Sequence, residues 1–345
     1  MELNVFIIRY LVNRDSKYRI MFIELLSSLI FLILFTRAAS GIEDPLRTMK
    51  YTSRSVKDAE IWQNDVRLKL YELLQMNDLV INRKNIPLDP AVILTEDKGD
   101  YLLKEIEFNS TKNRRIRAII TIPKEKNRPL PAVVCIHGHK GSIRSVYEKA
   151  SIYKGFAAEL AVRNCITIAV IVSQHEVLEK DRILMGERLW DLMRCVDYLE
   201  SLNEVNKNKI GCAGLSLGGE MAMWLGAMDE RIRATVSSGF LTRMDQMEQN
   251  HCMCWKFAGL REIVDYADIY SLIAPRSLQC QNGLNEPSKG FTVQLASDAL
   301  KEIKVIYTDF RRPENVSLIT HAGAHEIDLP SLLTFFHKQL GTNKL

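Results

Sequence analysis

"KIGCAGLSLGGEMAMWLGA", residues 209–227, sets a short apolar run against Gly214-Leu215-Ser216-Leu217-Gly218-Gly219, and a helix-forming run follows at once. This order predicts strand, tight turn and helix in immediate succession. A serine placed there stands at the carboxyl end of a strand and directly before a helix N-terminus, where the backbone dipole favours negative charge. Gly214 and Gly218 bracket it, as expected if a Cβ at either position would strike the neighbouring strand or helix. Ser216 reads either as a nucleophile on a strained turn or as an incidental polar residue in a loop. The rest of the chain decides between them.

Working outward, strands and helices alternate. "PAVVCIHG" and "CITIAVIV" precede the quoted stretch as short buried strands, with a helix expected between them around Ser145–Val162. "ERLWDLMRCVDYLESL" is an amphipathic helix with Leu189, Met193, Val196 and Leu199 on one face. "IRATVSSGF", "RSLQCQNG" and "NVSLITHAG" are three further strands. Continuous apolar strands separated by helices indicate an α/β fold, a mostly parallel central sheet with helices on both faces. Upstream, "YLLKEIEFNSTKNRRIRAIITIP" alternates on both sides of a turn and predicts a β-hairpin. Helical periodicity marks 51–85, and Pro87, Pro90 and Gly99 mark 86–100 as a connector. The expected organisation is thus a leader over 1–40, a helical extension and connector over 41–100, and a catalytic domain over 101–345. Within that domain, 241–274 is a long irregular insertion of the kind that forms a lid or pocket wall.

The formal net charge of +4 includes +2 from the first 40 residues, and no dense basic run follows, so nucleic acid is not an expected partner. Those first residues place a basic region before the apolar run Leu25–Phe35 and then "TRAASG", the order of a secretory signal cleaved before Gly41. Export is the expectation. An uncleaved anchor is the alternative, and it would be the chain's one link to a membrane. Seven cysteines rule out complete pairing. Cys135, Cys165, Cys212 and Cys280 lie in or beside apolar runs and read as buried thiols. "HCMC", His251–Cys254, lacks a second ligand cluster in the sequence, so no metal is expected.

A serine hydroxyl needs a base to take its proton and an acid to orient that base. Histidines follow the last strand at His321 and His325. His321 closes the strand, whereas Ala322, Gly323 and Ala324 carry the chain on to His325, the better placed to reach back over Ser216. The acid belongs in "QNGLNEP" after the fifth strand, where Glu286 is the leading candidate. Asn285 beside it and Asp245 beyond the fourth strand stay open as alternatives. Stabilising the tetrahedral oxyanion requires two donors. The Leu217 N–H is one. The loop "HGHKG", His137–Gly141, can supply the other from His139 or Lys140, with His137 bracing the loop. His251 and Trp255 in the insertion are candidates for a sugar pocket or for lid packing. Arg188, Asp191 and Arg194 read as a surface ion-pair pattern.

With these pieces in place, the chain resembles the α/β-hydrolase superfamily, in its dienelactone hydrolase and acetyl xylan esterase-like branch, from about Tyr101 onward. "CIHGHKG", "KIGCAGLSLGG" followed by "DERIRA", "LIAPR" leading into the acid turn, and "HAGAHE" carry the resemblance. That branch places an aspartate in the acid turn, where this chain has Glu286. The resemblance implies hydrolysis of carboxylic esters, often acetyl or other acyl groups on carbohydrates, without metal or cofactor. A peptidase or amidase on the same fold, or a catalytically silent carbohydrate-binding protein, are the rival readings.

Overall fold

The computed structural model of the chain describes residues 46–52, 54–125 and 129–343. The expected leader over 1–40 lies outside them. From Arg47 onward the chain forms one compact unit. It opens with helices α1 (Val56–Leu73) and α2 (Asn77–Ile81), then strands β1 (Ala91–Asp97), β2 (Tyr101–Asn109), β3 (Arg115–Pro123) and β4 (Leu130–Ile136). Helix α3 (Phe156–Ala161), β5 (Ile166–Val170), α4 (Leu184–Ser201), β6 (Val205–Leu215), α5 (Leu217–Met228) and β7 (Ile232–Ser238) follow. Three short helices, α6 (Met244–Asn250), α7 (Leu260–Ile263) and α8 (Tyr266–Ser271), lead to β8 (Ser277–Gly283), α9 (Val293–Asp309), β9 (Val316–His321) and α10 (Leu329–Leu340).

The nine strands make one sheet in the order β1-β2-β3-β5-β4-β6-β7-β8-β9. The six strands expected from Pro131 onward are β4 to β9, and all neighbours among them pair in parallel. The predicted hairpin is β2–β3, antiparallel throughout. Alternate residues of the central strands serve opposite faces. Val133, Cys135, Ala213 and Leu215 join Phe156 and Leu160 of α3 and Leu332 and Phe336 of α10 on one side. Ala132, Val134, Ile136, Ile210 and Cys212 join Leu189 and Met193 of α4 and Met221 and Trp224 of α5 on the other. Burying each such side chain is worth about 1.5–3 kcal/mol, so both layers of helices are held by apolar contact. The chain runs outward in one direction from β4 to β5 and in the other from β6 to β9, which opens a crevice at the carboxyl ends of β4 and β6.

Three expectations need correction. Residues 86–100 are not a plain connector, because β1 occupies Ala91–Asp97 and pairs antiparallel with β2. Pro87, Pro90 and Gly99 bracket that strand without interrupting it, and Val92, Ile93 and Leu94 are exposed on an edge. The helix expected over Ser145–Val162 is reduced to a single 3-10 turn, Ser145–Tyr147, and the six residues of α3. Lys154 and Gly155 both take left-handed φ, at 54° and 61°, and break it.

The third concerns α4. Arg188, Asp191 and Arg194 are buried, not a surface pattern. Asp191 receives a bidentate pair from the Arg114 guanidinium, both at 2.8 Å, together with the Ser110 hydroxyl. Arg194 bonds Asp197 at 2.6 Å and the Ile86 carbonyl at 2.9 Å. From the N-terminal side, Gln63 and Arg67 of α1 donate to the Ala274 and Ala227 carbonyls at 2.8 and 2.9 Å, tying the extension to the body. Replacing Asp191 with Ala removes the bidentate partner of Arg114, which keeps only Glu179 as a carboxylate partner, at 3.0 Å, and leaves the Ser110 hydroxyl without its acceptor. The expected cost is about 3–5 kcal/mol, read as a fall in the urea midpoint against wild type.

Candidate active site

Ser216 sits where β6 ends and α5 begins, with φ 62° and ψ −125°. A non-glycine residue stays in that region only where its surroundings over-determine it. Here they do. A Cβ on Gly218 would lie 2.3 Å from the Ile136 carbonyl oxygen, and one on Gly214 would lie 2.2 Å from the Gly218 oxygen. Backbone meets backbone on both sides of the serine, and the turn has no room to relax. The Ser216 N–H donates to the Ser238 carbonyl at 2.9 Å, fixing the elbow to β7. The hydroxyl does not cap α5, so it is left for the crevice.

The loop after β8 carries Glu286 and the loop after β9 carries His325. Their contact is direct: His325 Nδ1 lies 2.7 Å from Glu286 Oε1. The Glu286 side chain is 3 % exposed and that of His325 31 %, so the carboxylate is covered while the imidazole reaches the opening. The two loops are joined by backbone as well. Leu284 N–H donates to the His321 carbonyl at 2.8 Å, and Asn285 N–H to the Gly323 carbonyl at 3.1 Å. Asn285 spends its side-chain amide on the Ala322 carbonyl, at 2.6 Å. Asp245 lies on α6 in an exposed pair with Arg243. Of the three acids or amides weighed, Glu286 is the one that meets the histidine. His321 turns its Nδ1 to the Gly323 N–H at 3.2 Å and shapes the turn.

Below the imidazole lies Gly239, immediately after β7, with φ 57°. A Cβ there would come within 2.9 Å of His325 Cε1. Above it, the Phe291 ring stacks at 5.5 Å and 20°. Phe291 also contacts the His251 ring at 4.9 Å, so His251 stands one ring away from His325. Trp255 takes the packing role of the two left open. It is 1 % exposed and packs on Tyr266 at 5.7 Å, so it belongs to the core beneath the insertion and lines no open sugar pocket.

The His137–Gly141 loop presses against Ser216, since a Cβ on Gly138 would lie 3.1 Å from Ser216 Cβ. The Gly138 N–H is taken by the Tyr153 hydroxyl at 2.6 Å, and the Gly141 N–H by the Gly138 carbonyl at 3.2 Å. Among the described residues, the His139 N–H has no acceptor within the protein, nor does that of Leu217 at the first position of α5. His137 is buried and accepts from the Val172 N–H at 3.3 Å, bracing the loops after β4 and β5 against each other. Burial, with Arg188 nearby, pushes the His139 imidazole down to about 4. Its side chain faces away from this chemistry and meets Cys254 Sγ at 3.3 Å.

Phe291, Gly239 and Tyr153 are site residues that sequence reasoning missed. Each is an isolated residue outside any motif, and only the folded loops reveal what it touches. Behind the serine, Glu220 of α5 is fully buried, and burial pushes its carboxyl up to about 8 against the opposing pull of Arg188.

The sheet order and the strand–turn–helix at Ser216 are those of the α/β-hydrolase fold. Comparison with known proteins agrees. A family model for fungal glucuronyl esterases matches residues 106–240. YtaP of Bacillus subtilis (strain 168), provisionally named a hydrolase, is 23 % identical over 290 residues, covering 75 % of this chain and 92 % of that protein. Among solved structures, a Bacteroides fragilis NCTC 9343 protein provisionally named an acetyl xylan esterase superposes with TM-score 0.66 at 18 % identity. It covers 80 % of this chain and 79 % of that one. A glucuronoyl esterase from Solibacter usitatus superposes with TM-score 0.64 at 14 % identity, over 85 % and 97 % of the two chains.

Two measurements probe this geometry. Gly239→Ala drives a methyl group into the imidazole, so kcat on an ester should fall about 10–100-fold while the protein stays folded. Glu220 supplies a pH dependence. Between about pH 4.5 and 8 the folded state keeps a proton that the unfolded chain has released, so stability falls as pH rises across that window. Denaturation at pH 5, 6.5 and 8 should show this decline, and Glu220→Gln should make it shallower, the remainder coming from Asp229, which burial pushes up to about 7.

Proposed function

We propose that the protein is a serine esterase acting on carboxylic esters of carbohydrates, through Ser216, His325 and Glu286. The observation that carries the reading is the 2.7 Å contact between His325 and Glu286, with the imidazole against Gly239, the residue after the Ser238 that anchors the Ser216 N–H. With Nδ1–H donated to the carboxylate, Nε2 is left as the base that takes the serine proton. Ser216 Oγ attacks the ester carbonyl, and the oxyanion is met by the Leu217 and His139 N–H groups. The imidazolium returns its proton to the departing alcohol. Water, deprotonated by the same imidazole, then cleaves the acyl-enzyme. Glu286 holds the ring in the required tautomer, one methylene longer than the aspartate usual in that turn.

Ester rather than amide cleavage is favoured because the names of the matched family and of the similar structures are those of esterases of sugars. Acetyl groups on xylan-type sugars and uronate esters are the two substrate kinds those names supply. His251, which stacks with Phe291 beside His325, lies where a sugar ring would rest. Export, as read from the leader, would bring the enzyme to such polymers. Among the described residues no helix is long and apolar enough to cross a membrane.

The test compares wild type, Ser216→Ala, His325→Ala and Glu286→Gln on p-nitrophenyl acetate, acetylated xylo-oligosaccharides, a benzyl glucuronate ester and an aminoacyl amide. Removing the serine or histidine should lower kcat by at least about 10³-fold, and Glu286→Gln by about 10²–10⁴-fold. Amide turnover above ester turnover, or full activity in Ser216→Ala, would overturn the reading.

A further inference from the structure

Three loops at the rim of the crevice bring together side chains that no single stretch of sequence joins. His139 follows β4, His175 follows β5, and Cys252 and Cys254 lie in the insertion between β7 and β8. One ligand atom from each, two imidazole nitrogens and two sulfurs, lies within 4.8 Å of all the others. They meet in crossed pairs: His139 Nε2 is 3.3 Å from Cys254 Sγ, and His175 Nε2 is 3.3 Å from Cys252 Sγ. The two imidazole rings face one another at 5.5 Å and 32°.

We propose that these four residues form a tetrahedral Cys₂His₂ site for a divalent metal of the zinc type. Two thiolates and two imidazoles are the donor set that zinc takes in closed structural sites. Zn–N of about 2.0 Å and Zn–S of about 2.3 Å require tetrahedral edges of roughly 3.3–3.8 Å. The crossed pairs already stand at that spacing. The widest pair must close by about 1 Å, within reach of the exposed His175 and Cys252 side chains. The shell behind the site is also suited to a metal thiolate. Arg188, buried on α4, donates from Nη1 to Cys254 Sγ at 3.4 Å, and from Nη2 to the carbonyl of Gln174, the residue before His175. A single buried guanidinium therefore positions one sulfur ligand and the loop of one nitrogen ligand, while its charge favours the thiolate.

"HCMC" alone is only a weak metal signal, because its partner ligands lie 77 and more residues upstream. His251, its first residue, is not among the four. Metal binding would displace the thiol protons of Cys252 and Cys254, leave both imidazoles neutral, and staple the insertion to the loops after β4 and β5. The site stands on its own geometry, independent of the esterase reading.

The experiment uses the untagged full chain, reduced and freed of metal, titrated with Zn²⁺ in competition with a chromophoric chelator. One equivalent per chain is expected, with a rise in melting temperature. Cys252→Ser and His175→Ala should each weaken binding at least about 100-fold, and His337→Ala, remote from the cluster, should not. Circular dichroism establishes that each variant is folded. Co²⁺ should give the intense visible bands of a tetrahedral thiolate site. A folded, reduced wild type that takes up well under one equivalent would overturn the proposal. So would affinity unchanged in both ligand variants, or the pale spectrum of octahedral Co²⁺.

Discussion

Backbone-to-backbone contact at Gly214 and Gly218 is the constraint on which the site depends. The first turn of α5 lies so close to β4 that the Ile136 carbonyl fills the space where side chains would begin. That closeness brings the His137–Gly141 loop, which continues β4, onto Ser216. It also forces the serine into a conformation that a relaxed chain leaves. Strain at one residue is sustained by two layers of apolar packing, each contributing far more than the roughly 1–3 kcal/mol the strained residue costs.

A second level of order comes from buried charge. α4 carries Arg188, Asp191 and Arg194 in the interior, each turned to a different partner region: the crevice rim, the β2–β3 hairpin and the segment leading into β1. Buried ion pairs add little net stability against apolar replacements, but removing one partner is costly. Their value here is positional, since a buried arginine bonded to several segments at once fixes them against one another. Arg114 does the same from the hairpin side, reaching both Asp191 and Glu179.

Much of this was legible in the sequence. Parallel strands buried on both faces are continuous apolar runs, and β4 and β5 announce themselves that way. The Gly-x-Ser-x-Gly turn, the acid turn and the small-residue loop before His325 follow from local chemistry at fixed places along that alternation. What escaped has physical reasons. β1 lies on an exposed edge between Pro90 and Gly99, so its environment resembles a loop. The charges of α4 follow a surface periodicity, yet loops fold over that face and bury them. Trp255 sits in an irregular insertion whose packing partners, such as Tyr266, no periodicity reveals. The meeting of His139 and His175 with Cys252 and Cys254 depends on three loops converging, information that exists only in the fold.

The backbone bridges between the loops after β8 and β9 have a mechanical consequence. Leu284 and Asn285 hold the His321–Gly323 segment by two main-chain bonds and one side-chain bond, in the same few residues that present Glu286 and His325. Acid and base therefore ride on one stiff bracket rather than two independent arms. Ser216 belongs to a different bracket, the β6–α5 turn. Relative motion among Ser216, His325 and Glu286 is concentrated at a single joint, between serine and histidine, while the histidine–glutamate contact travels intact with whatever movement the crevice undergoes.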